Sequence, residues 1–133
     1  MTTASPPSPQ ACAALRKALL HLHRTLVEQE RIAYEKRHGR QSAGEFLQVM
    51  AYADEMRWLE PLSRLIVMLD EAMDADGDAA LAPQAVAERA RALLRLDRDS
   101  SDAFATRYAM YFDASPDLAH AHAAALAALK VQD

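Results

Sequence analysis

Residues Pro61 to Met73, PLSRLIVMLDEAM, establish the fold class of this chain. The apolar side chains of this segment recur at three- and four-residue steps, which places them on one stripe of an α-helix, and Arg64 and Glu71 fall on the opposite side. The stripe consists of Leu62, Leu65, Ile66, Leu69 and Met73. Pro61 suits the first turn of such a helix, where a backbone N–H has no partner to lose. We therefore predict a helix that buries this stripe in a core.

Helical periodicity also precedes this segment. Apolar residues at three- and four-residue steps predict a long first helix from Gln10 to His38, ended by Gly39. Ser42 and Glu45 form the capping-box pattern of a second, shorter helix. That helix should falter over residues 53–59, because Pro61 disfavours a helical conformation in the residue before it.

Three further helices are predicted after it. The polar stretch Asp74 to Ala82 is typical of a surface turn, and Pro83 suits the first turn of a fourth helix. Ser100 or Ser101 can cap a fifth helix, and Ser115, followed by proline, can cap the last.

Composition supports the same fold. The chain has 133 residues, of which 51% are hydrophobic and 26% charged, as in an ordinary single globular domain. It contains three glycines, and alanine, the strongest helix former, is its most abundant residue. We predict a disordered tail over residues 1–9 and a single domain over residues 10–133. The domain should be a compact, antiparallel, all-α bundle of five to six helices with a long first helix.

Charge and cysteine content narrow the function classes. A net charge of −4 disfavours binding to nucleic acid by phosphate neutralisation. No segment is apolar for long enough to span a membrane. The single cysteine, Cys12, cannot form an internal disulfide, so we expect a cytoplasmic protein. No glycine-rich phosphate loop, cofactor motif or activated nucleophile is present, so we expect no cofactor and favour a non-enzymatic role.

Three polar residues project onto apolar helix faces. Plotted at 100° per residue, His23 and Glu30 fall within the apolar arc of the first helix, and His122 falls within that of the last. Two imidazoles and a carboxylate in a bundle core could bind a metal ion or a small ligand. Alternatively, each is a group at the edge of the core that hydrogen-bonds to a neighbour, because burial without a partner is costly.

Trp58, Leu59 and Pro61 form an apolar cluster at the predicted break between two helices. This cluster is either a groove for a partner or ordinary core. With alanine- and methionine-rich helix faces, it favours a protein-interaction or regulatory module. The partner would be another protein or a second copy, which would pair with the overhanging end of the first helix. The alternatives are the metal- or ligand-binding bundle and a DNA-binding regulator, which would use the arginines of the fourth helix, Arg89, Arg91, Arg95 and Arg98.

Several short motifs follow one another along the chain. They are Tyr34-Glu35-x-x-His38-Gly39, Gly44-Glu45-Phe46-Leu47-Gln48, Trp58-Leu59-x-Pro61-Leu62-Ser63-x-Leu65-Ile66-Val67 with Asp70-Glu71, Phe104-x-x-Arg107-Tyr108, and Leu118-Ala119-His120. The set resembles a family of small, all-helical bacterial proteins that has no established function. The resemblance implies a compact helical domain and carries no activity, cofactor or site residue with it.

Overall fold

The computed structural model describes residues 8–74 and 82–131, which form six α-helices and one 3₁₀ helix and contain no strand. The α-helices are α1 (Pro9–His38), α2 (Ala43–Tyr52), α3 (Glu60–Asp74), α4 (Pro83–Leu93), α5 (Ala103–Ala114) and α6 (Pro116–Lys130), and the 3₁₀ helix (Asp54–Leu59) joins α2 to α3. The predicted all-α bundle with a long first helix is confirmed. Residues 1–7 of the tail predicted over residues 1–9, and residues 75–81 of the turn predicted over Asp74 to Ala82, lie outside the described residues.

The ends of α1 follow from its flanking residues. Ser8, in extended conformation, accepts a hydrogen bond from the backbone N–H of Ala11 at 3.1 Å, so the helix begins one residue earlier than predicted. At the other end Gly39 has φ +86° and ψ 170°, a backbone conformation that glycine alone adopts readily. The Gly39 N–H donates to the carbonyl of Glu35 at 2.8 Å.

The predicted caps of the later helices are only partly correct. Ser42 and Glu45 form the complete capping box of α2, and Ser115 caps α6. The prediction of Ser100 or Ser101 for α5 is wrong, because the Asp102 carboxylate accepts from the N–H of Ala105 and occupies the cap position itself.

The core lies where α1 packs between α3 and α6. The predicted stripe of α3 is buried except for Met73, which is 39% exposed. Met73 lies in the last turn of α3, beside Ala13 and Arg16 at the edge of the core. The side of α1 that faces the core carries fully buried leucines at Leu15, Leu19, Leu22 and Leu26. In the two described ranges, no helix has the length and apolar character needed to cross a membrane.

The C-terminal end of α1 is covered on one side. The rings of Tyr34 and Phe46, from α1 and α2, lie 6.1 Å apart, and Arg37 pairs with Glu55 of the 3₁₀ helix at 3.0 Å. Ile32, on the same part of α1, is 43% exposed. Pairing of this end with a second copy of the chain stays a prediction.

Candidate functional site

Glu30 brings three elements together through one buried oxygen. The side chain is 1% exposed, and its Oε1 accepts hydrogen bonds from Trp58 Nε1 at 3.1 Å, Tyr111 Oη at 2.8 Å and Arg107 Nη1 at 3.1 Å. Its Oε2 is also buried and has no hydrogen-bond partner among the described residues. Glu30 therefore connects α1 to the 3₁₀ helix and to α5 through a single carboxylate.

The donors around Glu30 are arranged to hold a negative charge. Burial and the hydrogen bond to Glu30 raise the pKa of Tyr111 to about 12, so its hydroxyl stays protonated and donates. Arg107 supplies the counter-charge, and its side chain is 37% exposed. This arrangement fixes a carboxylate in place, which is a positioning role.

His23 is bound on the α3 side of α1. Its Nε2 lies 2.9 Å from Ser63 Oγ, and Ser63 donates its own proton to the carbonyl of Leu59 at 3.3 Å. The imidazole is therefore the donor to Ser63. Burial lowers the pKa of His23, which favours the neutral ring.

His122 is bound on the α5 side of α6. Its Nδ1 lies 2.6 Å from Tyr108 Oη, and its ring packs edge-on against Phe112 at 5.1 Å between centroids. Burial lowers the pKa of His122 and raises that of Tyr108, so both groups are neutral. His122 thus has a partner within the core.

The three predicted ligands do not converge. Glu30 and His122 point inward, as the helical projection indicates, and His23 is half-buried, but each contacts a different partner. Within residues 8–74 and 82–131, no three His, Cys, Asp or Glu side chains are placed to hold a metal ion. A projection gives the direction of a side chain around its helix axis and leaves open which neighbour it meets. The structure therefore supplies the hydrogen-bonded alternative for all three residues.

The predicted interaction cluster divides into core and surface. Trp58 and Leu59 are 6% and 2% exposed, which agrees with the ordinary-core alternative for these two residues. The 3₁₀ helix turns both side chains inward, where the Trp58 ring stacks on Tyr111 at 6.0 Å. Pro61 is exposed and lies between two open cavities.

The first of these, the α3–α4 cavity, has a volume of about 450 Å³. It combines apolar side chains with charged ones, and its lining residues are Arg57, Glu60, Pro61, Arg64, Leu65, Met68, Arg89 and Leu93. Arg64 pairs with Glu60 at 2.5 Å, and Arg57 pairs with Asp54 at 3.3 Å. Arg89 has no ion pair within the described part of the chain.

The second, the α5 cavity, has a volume of about 540 Å³ and lies in front of the Glu30 contacts. The inner wall includes Trp58, Phe104 and Arg107, and the remaining lining residues are Asp54, Glu55, Arg57, Pro61, Ser101, Asp102, Ala103 and Thr106. The two cavities share Arg57 and Pro61. They therefore meet around Pro61, on the surface side of the buried carboxylate.

The arginines of the predicted fourth helix point to different places. Arg91 contacts Glu88 and donates to the carbonyl of Leu129 at 2.7 Å. Arg98 lies beyond α4 and forms a bidentate ion pair with the Asp113 carboxylate. Arg89 lines the α3–α4 cavity, so Arg89, Arg91 and Arg98 do not share one recognition face of the kind that a helix presents to DNA.

Comparisons with protein-family models, with curated proteins and with solved structures find no match for this chain. The resemblance to small helical bacterial proteins stays a prediction.

Proposed function

We propose that this chain is a non-enzymatic protein-interaction module that binds a segment of a partner protein across Pro61. The observation that carries the proposal is the pair of open cavities that share Arg57 and Pro61. A segment lying over Pro61 can place side chains into both cavities at once. Two side chains of the segment, one in each cavity on either side of Pro61, would supply binding energy and fix the position of the segment along the surface.

The side chains around Pro61 support binding over catalysis. Asp54 pairs with Arg57, Glu55 pairs with Arg37, and Asp102 caps α5. Each of these carboxylates already has a partner within the chain, whereas a general acid or base must be placed to exchange a proton with a substrate. The open shape of both cavities also suits an extended segment better than a small molecule, which binding sites usually enclose.

Peptide selection followed by NMR mapping tests the proposal. Dodecapeptides selected from a random display library should shift the indole N–H signal of Trp58, which is the only tryptophan in the sequence. They should also shift backbone amide signals from both cavities, such as those of Leu93 and Thr106. Failure to select any binder, or shifts confined to other faces, would show that the region around Pro61 is not a binding surface.

A matched pair of variants gives the control. Thr106 and Thr25 are both helical threonines whose hydroxyl donates to a backbone carbonyl, at 3.3 and 2.8 Å. Thr106 lines the α5 cavity, and Thr25 lies on another face of the bundle. Thr106→Arg should therefore weaken peptide binding, and Thr25→Arg, with the same change of charge, should leave it unchanged.

A further inference from the structure

The α3–α4 cavity has a charge that differs from that of the whole chain. The chain carries a net charge of −4, yet three arginines and one glutamate surround this cavity. Between them lie Leu65, which is buried, and Met68 and Leu93, which are half-buried. The cavity thus offers apolar contact surrounded by an excess of positive charge.

The three arginines differ in their availability. Arg57 and Arg64 already face carboxylates in their own chain, although these pairs are exposed and can exchange partners at little cost. Arg89 is exposed and has no such pair among the residues described. A carboxylate from a partner can therefore approach Arg89 without displacing an internal one.

The α5 cavity does not share this excess. Three carboxylates, Asp54, Glu55 and Asp102, line it together with the two arginines Arg57 and Arg107. Arg107 already donates a hydrogen bond to the buried carboxylate of Glu30. Negative groups on a bound segment are therefore favoured at the α3–α4 end and disfavoured at the other.

We infer that the part of the partner that binds in the α3–α4 cavity is acidic and amphipathic, with an apolar residue flanked by carboxylates, and that Arg89 is its principal charged contact. This inference rests on the proposed function. Charge complementarity of this kind selects partners and speeds association more than it adds affinity. Added salt should accordingly reduce the preference, because both partners of the contact are near the surface.

Twin peptides separate charge from apolar contact. The probes are the acetylated, amidated octapeptide EALLEALE and its neutral twin QALLQALQ, titrated against the intact chain and followed by the NMR signals of residues that line the α3–α4 cavity, such as Leu93. The acidic peptide should bind roughly three- to tenfold more tightly at low salt, and this advantage should shrink as salt is added. A neutral twin that binds equally well at the same residues would overturn the inference and leave the proposed function standing.

Arg89 is tested with a control of equal charge. Arg89→Gln should remove most of the preference for the acidic peptide without changing the affinity of the neutral twin, and Arg89→Lys should retain much of it. Arg95, which is exposed and lines neither cavity, provides the control, so Arg95→Gln should leave both affinities unchanged. Equal losses in the two glutamine variants would show that net charge, and not Arg89, sets the preference. Binding of neither octapeptide, while selected peptides still bind at Pro61, would likewise refute the inference alone.

Discussion

Replacing Glu30 by leucine tests whether its buried carboxylate stabilises the packing of α1 against the 3₁₀ helix and α5. The substitution keeps a side chain of similar bulk and removes the acceptor of three hydrogen bonds. The Trp58 N–H and the Tyr111 hydroxyl would then be buried without an acceptor. Arg107, which is 37% exposed, can turn its freed nitrogen towards water.

The expected cost follows from these three donors. Each buried donor that loses its partner costs about 1–3 kcal/mol, and the exposed arginine adds little. Part of this is offset because leucine avoids the desolvation of a carboxylate. We expect Glu30→Leu to lower the free energy of unfolding by about 3 kcal/mol, near the bottom of the range for breaking a buried ion pair.

Two milder variants should fall in order below it. Glu30→Gln keeps a neutral acceptor at Oε1 and places an amide N–H₂ near the position of Oε2, where no acceptor lies among the described residues. We expect a loss of about 1–2 kcal/mol from the weaker hydrogen bonds and the unpaired amide. Tyr111→Phe removes one of the three donors and should cost about 1 kcal/mol.

Urea unfolding followed by far-ultraviolet circular dichroism measures these differences. A double-mutant cycle of Glu30→Gln with Tyr111→Phe should give a coupling of roughly 0.5–3 kcal/mol, because the two side chains contact each other directly. If Glu30→Leu were as stable as the parent chain, the carboxylate would contribute no net stability, and the unpaired N–H and hydroxyl donors would not carry the cost expected of them.

The remaining predictions concern pH and two glycines. Burial lowers the folded-state pKa of His23 and His122 below 6.5, so the unfolded chain takes up protons first as the pH falls. The resulting stability should be complete above pH 6.5 and should be lost as the pH falls through the folded-state values. Urea midpoints measured across this window should show the fall, and His122→Gln should reduce it. Gly39→Ala should cost about 1–3 kcal/mol because of its backbone conformation, whereas Gly44→Ala, in α2, should stabilise the chain by about 0.5–1 kcal/mol. Thermal melts of the two variants should therefore shift in opposite directions, and a parallel shift would contradict this argument.

The helices could be predicted from sequence because their determinants lie close together in the chain. The capping box of α2 joins residues three positions apart, and the end of α1 depends on Gly39 and the turn before it. The N-terminal cap of α5 could not be assigned from local sequence, because both Ser100 and Asp102 lie close to its start. Both residue types favour a cap, and the local pattern does not indicate which of them the chain uses.

The contacts of Glu30 could not be predicted in the same way. Arg107 and Tyr111 follow Glu30 in the chain by 77 and 81 residues, and Ser63 follows His23 by 40. Helical periodicity places each polar side chain on an inward face, but the identity of its partner depends on how the helices pack. The sequence therefore predicts that Glu30 and His122 are buried polar groups and leaves open what satisfies them.

The position of the apolar cluster around Trp58 could be predicted from sequence. Which of its side chains point into the core depends on the type of helix. A 3₁₀ helix has three residues per turn, so residues three apart share a face. Met56 and Leu59 accordingly lie on the buried face, and Asp54 and Arg57 lie on the exposed one. Pro61 lies in the first turn of α3, which begins at Glu60, and its side chain is exposed. The tighter helix thus separates the core residues of the cluster from Arg57 and Pro61, which form the wall common to both cavities.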